Sequence, residues 1–426
     1  MEQLLDKYIT TALYDFGKEV NTNRQLPLVF DGMKPVFRRV LYTAIKFGNK
    51  MMKTAAITGT TMATLHPHSS DAIDNTVASL ARWGMLDSQG NFGMKLIYGD
   101  DIRPSSSRYT EAKINDTWNK LISFLLPYVP YVEAEMQGNT EPEYIPTPIP
   151  LILLFSGMGI GYGANCRFPM FTAKSLYDAM LSDDPYKLEA PNGLSIDFSQ
   201  SDIEDLWNTG IGKVCYKYKV EKCGISSGYG SMISGSAEIF KPNLEKGFEE
   251  ELAKGQVYIL DQTAGDIPAV FVGRSPNVRA ISLDDIQEVC EQLCTYSRTF
   301  RLTVTDGEQA YCIPLKNWLR ECYENYLNLI EVYKQDQISK LKFDHKVYTW
   351  LGTITEYLLA HRDQDSEDIA KNTNCELEVV KSILRKSIST LRNTDSTAKL
   401  KGIEEQIKYF ESIVSADYVE SVINEF

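Results

Sequence analysis

The strongest constraint on the fold lies in the last quarter of the chain. Leu319, Tyr323, Tyr326, Ile330 and Tyr333 step alternately by four and three residues, and Val347, Leu351, Ile354 and Leu358 resume the alternation after an irregular stretch. The spacing predicts a single helix of about forty residues. A polar break from His361 to Glu367 follows, then Leu377, Val380, Leu384, Ile388 and Leu391 read as a short helix. Ile403, Ile407, Phe410, Val414 and Tyr418 read as a helix running to the end. An outgoing helix, a small helical knot and a returning helix make an antiparallel arm over residues 315–426.

The rest of the fold must come from the residues before the arm. In residues 1–23, Leu5, Ile9, Ala12 and Phe16 recur at helical spacing and predict an amphipathic N-terminal arm that must bury its apolar face. Residues 24–140 carry helical patterns at Val36 to Ile45, at Ser70 to Trp83 and at Thr110 to Leu126, the last with Ile114, Trp118, Leu121 and Leu125 on one face. Residues 141–314 alternate at Val214 to Val220, Val257 to Leu260, Val270 to Val272 and Phe300 to Val304, and read as mixed α/β. The expectation is therefore an α+β multidomain chain. No apolar run approaches a membrane span and the start lacks a signal-peptide pattern, so a cytoplasmic protein without membrane contact is expected. Eight cysteines include no C-x-x-C pair and read as free, mostly buried thiols.

Charge is unevenly placed. The chain carries a net charge of -13, yet Asn21 to Thr60 holds Arg24, Lys34, Arg38, Arg39, Lys46, Lys50 and Lys53 against Asp31 alone. A solvated basic face is one reading; charges aimed at phosphates by the turns around Pro27, Gly32 and Pro35 are the other. Gly157, Gly159, Gly161 and Gly163 alternate after the apolar segment Leu151 to Phe155. A strand leading into glycines suggests a dinucleotide site, but no G-x-G-x-x-G register fits and no P-loop exists, so a nucleotide-dependent enzyme is disfavoured. His66 and His68 flank Pro67 without a cysteine or carboxylate at ligand spacing, and no metal site is expected there.

Several segments in one order carry a resemblance. Arg24-Gln25-Leu26-Pro27, Asp31-Gly32-Met33-Lys34-Pro35 with Arg38-Arg39, His66-Pro67-His68, Gln89-Gly90-Asn91-Phe92-Gly93, Arg108-Tyr109-Thr110-Glu111, Glu141-Pro142, Ile145-Pro146 and Gly159-Ile160 resemble the DNA-cleaving A subunits of type IIA DNA topoisomerases. That family includes the A subunits of gyrase and topoisomerase IV and the short medium subunit of T-even-type phage enzymes. The resemblance implies a winged-helix cleavage domain, a mixed α/β tower domain and a coiled-coil dimer gate. It implies Tyr109 as the nucleophile that becomes a 5′-phosphotyrosine, with Arg108, Arg24 and His68 beside the scissile phosphate. Lys34, Arg38, Arg39 and His66 would contact or support DNA, and Ile160 would wedge between base pairs, an ordinary core isoleucine being the alternative. The loop Ser105 to Ser107 is expected to lead into a helix N-terminus that favours anions.

Partners follow from the same resemblance. One tyrosine cuts one strand of double-stranded DNA, so a homodimer is implied. Mg²⁺ would be held by the TOPRIM domain, and ATP by the ATPase domain, of a B-type subunit, because the Asp363-Gln364-Asp365 segment reads as a polar linker. With no segment after the returning helix, relaxation and decatenation are expected rather than supercoiling, in a bacterial or phage-infected cell. A non-catalytic dimeric DNA-binding protein that kept the scaffold is the rival reading. Asp71 and Asn75 stand where quinolone-sensitive relatives carry a serine and an acidic residue. Weak quinolone sensitivity is therefore predicted; cleavage assays showing the potency seen with bacterial enzymes would refute it.

Overall fold

The computed structural model describes residues 2–93, 103–155, 157–191, 194–217, 219–225, 228–234, 241–261, 269–275, 281–361, 364–386 and 396–425. They form two compact units, one of residues 1–326 with 423–426 and one of residues 327–422.

The first unit begins with helix α1 (Glu2–Val20), which passes without interruption into a π-helical turn, Asn21–Gln25. The turn stops where Leu26 becomes extended ahead of Pro27, because the proline ring excludes helical geometry from the residue before it. Ile9, Ala12 and Phe16 of α1 are exposed, so among the described side chains the apolar face that the pattern predicts is not buried; the Leu5 side chain lies outside them. Helix α2 (Pro35–Phe47) starts on a proline after the extended Lys34, where a missing N–H costs no hydrogen bond. Strand β1 (Met52–Lys53) leads into α3 (Thr54–Thr64), α4 (Ser70–Arg82), β2 (Leu86–Gln89) and β3 (Glu111–Ile114). These strands form an antiparallel sheet in the order β1-β3-β2. Val40, Leu41, Ile57, Ile73, Val77, Leu80 and Ile114 are buried in its company.

Two sequence expectations fail here. The helical pattern from Thr110 begins instead as β3, whose residues alternate between half-buried and buried. Asn115 then caps the shorter α5 (Asp116–Ile122) by accepting from the Thr117 and Trp118 N–H groups. The spacing of Ile114 and Trp118 fits both, and the cap decides. For the same reason the loop Ser105 to Ser107 runs into a turn and a strand and not into a helix.

Strands β4 (Tyr131–Glu133) and β5 (Thr140–Pro142) make a hairpin before α6 (Ile152–Phe155). A five-stranded sheet follows in the order β6-β7-β14-β9-β8, built from β6 (Gly157–Ile160), β7 (Asn165–Phe168), β8 (Ser195–Ile196), β9 (Ile211–Lys217) and β14 (Thr295–Arg301). The apolar segment before the glycines is thus largely the helix α6, and Gly157 and Gly159 lie in the strand, the reverse of the dinucleotide pattern. Helices α7 (Ala173–Ser182) and α8 (Ile203–Thr209) also lie in this part of the chain. A second sheet, β10-β11-β13-β12, uses β10 (Lys219–Ile225), β11 (Gly228–Ser234), β12 (Val257–Asp261) and β13 (Ala269–Arg274), with α9 (Lys241–Gly247), α10 (Glu249–Ala253) and α11 (Leu283–Leu293). A last hairpin pairs β15 (Thr303–Thr305) with β16 (Ala310–Cys312).

Helix α12 (Leu315–Ala360) is continuous, as the alternation predicts. Its N-terminal turns belong to the first unit: Trp318 is fully buried and donates to the Val29 carbonyl at 2.6 Å, and the Tyr326 hydroxyl donates to the Leu121 carbonyl at 3.0 Å. In the second unit, Val347, Leu351 and Ile354 pack with Ile369 of α13 (Ser366–Thr373) and with Val379, Val380 and Ile383 of α14 (Leu377–Leu384), the expected knot. Ile388 and Leu391 lie outside the described residues. The returning segment is two helices, Ser396–Ser412 and Ser415–Ile423, rather than one. Ser415 donates to Glu331, whose carboxylate also accepts from Lys334 at 3.1 Å, and the Lys334 ammonium reaches the Ile413 carbonyl at 2.6 Å, an acceptor at the break between them. All eight cysteines are free and most are buried, and among the described residues no helix is long and apolar enough to cross a membrane.

A buried aspartate holds the turn that starts α2. Asp31 is 0% exposed, and its carboxylate accepts from the Met33 N–H at 2.8 Å, the Ile145 N–H at 3.0 Å and Arg38 Nε at 2.7 Å. Next to it Gly32 has φ +68, with the backbone of Pro150 and Leu151 3.0 Å from where a Cβ would sit. Replacing Asp31 by alanine leaves Arg38 and two buried N–H groups without their acceptor. Asp31→Ala is predicted to lower unfolding stability by about 3 to 5 kcal/mol. Urea denaturation followed by circular dichroism checks this, and a loss below about 1 kcal/mol, typical of a solvent-exposed pair, would refute it.

Candidate functional site

The polar centre of the first unit is built around Arg39. Its side chain is buried on α2, with Nε 2.8 Å and Nη2 2.8 Å from the two carboxylate oxygens of Glu141. Its Nη1 donates to Glu135 Oε2 at 2.7 Å and to His66 Nδ1 at 2.7 Å. Burial alone would lower the arginine pKa, but the two glutamates outweigh it and the net shift is upward. Glu135 passes the contact on: its Oε1 lies 2.7 Å from His68 Nε2, which donates. Burial would raise the Glu135 pKa, yet Arg39 and then His68 draw it below the usual carboxylate range. One guanidinium thus fixes both histidines of the His66-Pro67-His68 turn, whose rings meet edge to face with centroids 4.4 Å apart.

His66 takes a defined state from this. Because Arg39 donates to Nδ1, that nitrogen is unprotonated and the ring proton lies on Nε2. Burial, then the charges of Arg39 and His68, push its pKa down to about 4. The charge of Arg24 acts in the same direction, which places the exposed Arg24 of the π-helical turn within electrostatic reach of this network.

Tyr109 stands apart. It is 66% exposed in the turn before β3, and the Arg108 guanidinium lies 4.8 Å from the centre of its ring. Backbone bonds hold the turn: Tyr109 N–H to the Ser106 carbonyl at 2.8 Å, Ala55 N–H to Ser107 at 3.1 Å, and Thr54 N–H to Thr110 at 2.9 Å. Gly90 backs it with φ +103. Among the described residues no hydrogen bond joins Arg108 or Tyr109 to the Arg39 network.

The alternating glycines have a steric cause. In β6 every second residue faces one way, and a Cβ at Gly157 would sit 2.6 Å from the Ile152 side chain, one at Gly159 2.5 Å from the Gln25 carbonyl. The naked face lies against the π-helical turn and α6, while Met158 and Ile160 project from the other. Ile160 is 71% exposed, which removes the reading of an ordinary core isoleucine.

Three basic residues expected at DNA are turned inward. Arg38 is committed to Asp31, Arg39 to Glu141 and Glu135, and Lys34 Nζ donates to the Met158 carbonyl at 2.8 Å, with burial lowering the lysine pKa. The physical reason is pairing: Asp31, the single acid of the basic window, takes Arg38, and Glu135 and Glu141 reach Arg39 through a hairpin distant in sequence. Phe37, between Lys34 and Arg38, stacks on Trp83 at 5.0 Å, which stacks on Phe155 at 4.8 Å. Sequence reasoning missed Glu135, since nothing in the pattern from Tyr131 to Gly138 marks it; Glu141 was visible only as part of Glu141-Pro142.

Folding also brings a carboxylate to the two histidines that spacing could not supply. The ligand atoms of His66, His68 and Glu135 lie within 4.8 Å of one another. This set does not fit Mg²⁺, which favours oxygen ligands, and the Arg39 guanidinium already bonds two of the three side chains. Asp365 Oδ1 accepts from the Glu367 and Asp368 N–H groups as the cap of α13; Asp363 lies outside the described residues.

Comparison with known proteins gives a consistent answer. The family model of the DNA gyrase/topoisomerase IV A subunit matches residues 24–426. The chain is 32% identical over 237 residues to the DNA gyrase A subunit of Mycoplasma genitalium, covering 49% of this chain and 27% of that protein. It is 28% identical over 240 residues to its Escherichia coli K12 counterpart, covering 51% of this chain and 27% of that one. The match therefore spans little more than a quarter of these relatives.

The depressed His66 pKa sets an expected pH dependence. The unfolded chain titrates near the ordinary 6.5 and the fold near 4, so between these values the unfolded state binds a proton that the fold excludes. The stabilisation is complete above pH 6.5 and is lost as pH falls towards 4. Denaturation midpoints at pH 7 and 4.5 should show a smaller acid loss in His66→Gln than in the wild type; equal losses would show that His66 is not held neutral.

Proposed function

The chain belongs to the family of DNA gyrase/topoisomerase IV A subunits, and from that premise we propose that it is the DNA-cleaving and religating subunit of an ATP-dependent type IIA topoisomerase. The observation that carries the reading is the exposed Tyr109 beneath the Arg108 guanidinium, in a turn anchored by backbone bonds. The phenolic oxygen of Tyr109 bonds to phosphorus as the bond from phosphorus to the 3′ oxygen breaks. The phenol proton leaves to a base or water, and the 3′ oxygen takes up a proton; religation reverses both transfers. A phenol titrates near pH 10, so it needs help at neutral pH.

Arg108 and Arg24 offer fixed positive charge to the phosphorus oxygens, where negative charge grows in the transition state. His68, its Nε2 committed to Glu135, offers its other ring nitrogen to the phosphate or to a proton. Ile160, presented by β6, wedges into the stack and bends the duplex. In this reading α2, α3 and α4 with the β1-β3-β2 sheet are the winged-helix domain, the two larger sheets the tower, and the second unit the dimer gate. Two copies of the chain supply the two nucleophiles of a double-strand break, and a B-type subunit supplies ATP binding and Mg²⁺, for which His66, His68 and Glu135 are unsuited.

Denaturant-trapped cleavage of supercoiled plasmid with Mg²⁺ tests this, using the full chain with the ATPase- and TOPRIM-bearing subunit encoded by the same genome. Wild type is expected to give linear DNA joined to protein, and Tyr109→Phe none. Bound DNA without covalent product, in the presence of a competent partner, would instead support the non-catalytic dimeric DNA-binding protein.

A further inference from the structure

The π-helical turn Asn21–Gln25 does two things at once. It carries the exposed Arg24, and through Asn21 it holds the hairpin that carries Ile160. Asn21 is 9% exposed, and its amide pairs with the backbone of Tyr162 in both directions: Nδ2 donates to the Tyr162 carbonyl at 2.9 Å and Oδ1 accepts from the Tyr162 N–H at 2.8 Å. This is the pairing of a β-ladder supplied by one side chain.

The surroundings leave this contact little slack. A Cβ at Gly161 would fall 2.0 Å from Asn21 Oδ1, and one at Gly159 would meet the Gln25 carbonyl, so side chains at these two places would push the hairpin off the turn. Phe16 in the last turns of α1 packs edge to face on Tyr162, with centroids 5.5 Å apart. Lys34 pins the Met158 carbonyl of the same strand. Ile160 and Tyr162 are two residues apart, and Asn21 and Arg24 three, so a displacement at the wedge has a short route to the arginine. Single π-helical turns recur where a helix must place a functional side chain off its regular register.

We propose that Asn21 is a positioning residue that couples the Ile160 hairpin to Arg24, so that bending of the bound duplex sets the arginine for cleavage. This rests on the function proposed above.

The test uses the same two-subunit complex, a duplex with a dye at each end to report bending, and a second duplex pre-bent by a central unpaired bulge. Asn21→Ala is expected to bend the intact duplex as wild type does and to bind it within about twofold, yet to form about tenfold less Tyr109 adduct on both duplexes, since small misplacement of a catalytic group is costly. Ile160→Ala should lose bending and adduct together on the intact duplex and regain the adduct on the pre-bent one. Gly161→Ala should behave as Asn21→Ala does. Asn21→Asp keeps the size and the acceptor while losing the donor, and carries the same test, with an expected several-fold loss, if the alanine variant folds poorly.

Wild-type adduct levels in both Asn21 variants would overturn the coupling, as would rescue of Asn21→Ala by the pre-bent duplex, which would make Asn21 a support for wedging alone. Absence of adduct from the wild-type complex would refute the function beneath it instead.

Discussion

The first unit depends on a guanidinium almost wholly withdrawn from water. Removing the Arg39 charge from solvent is expensive unless each face of its fork finds an acceptor, and the chain supplies Glu141, Glu135 and His66 from segments far apart in sequence. That requirement fixes the β4-β5 hairpin against α2 and fixes the His66-Pro67-His68 turn against both. The rigidity of this polar centre then follows from a demand of burial. A lysine at position 39 could not serve, since it lacks the planar fork that engages a carboxylate at two points while reaching two further partners.

The same economy of contact appears at β6. Alternate glycines usually weaken a strand, because they leave nothing to pack. Here the missing side chains are the condition for laying a strand directly on the backbone of the π-helical turn and on Ile152. The other face of the strand is left to present Met158 and Ile160 outward. The glycine-rich segment, whose spacing fits no phosphate loop, is a hairpin flattened against a helix terminus.

Some of the architecture was legible and some was not. The alternation from Leu319 to Leu358 marked α12 because a continuous stripe of apolar residues has few other ways to be buried, and Leu377, Val380 and the residues around them marked the knot. The pattern at Thr110 misled, because a short segment with apolar residues four apart satisfies a strand followed by a capped helix as well as one longer helix. The break between Ser412 and Ser415 escaped because its acceptor, the Ile413 carbonyl, is met by Lys334, a residue the periodicity of the returning segment does not contain.

The sequence by itself determined the elements whose causes are local: the helices and strands set by periodicity, the stop before Pro27, and the presence of Arg24, His68, Arg108 and Tyr109 in motifs of recognisable order. Tertiary structure decided which charges face outward. Seven basic residues in one window look alike in a sequence, and only the placement of Asp31, Glu135 and Glu141 separates Arg38 and Arg39, which are committed to these carboxylates, from Arg24, which stays exposed. The reason is that an ion pair is a relation between two positions in space, and its second partner leaves no trace in the local pattern of the first.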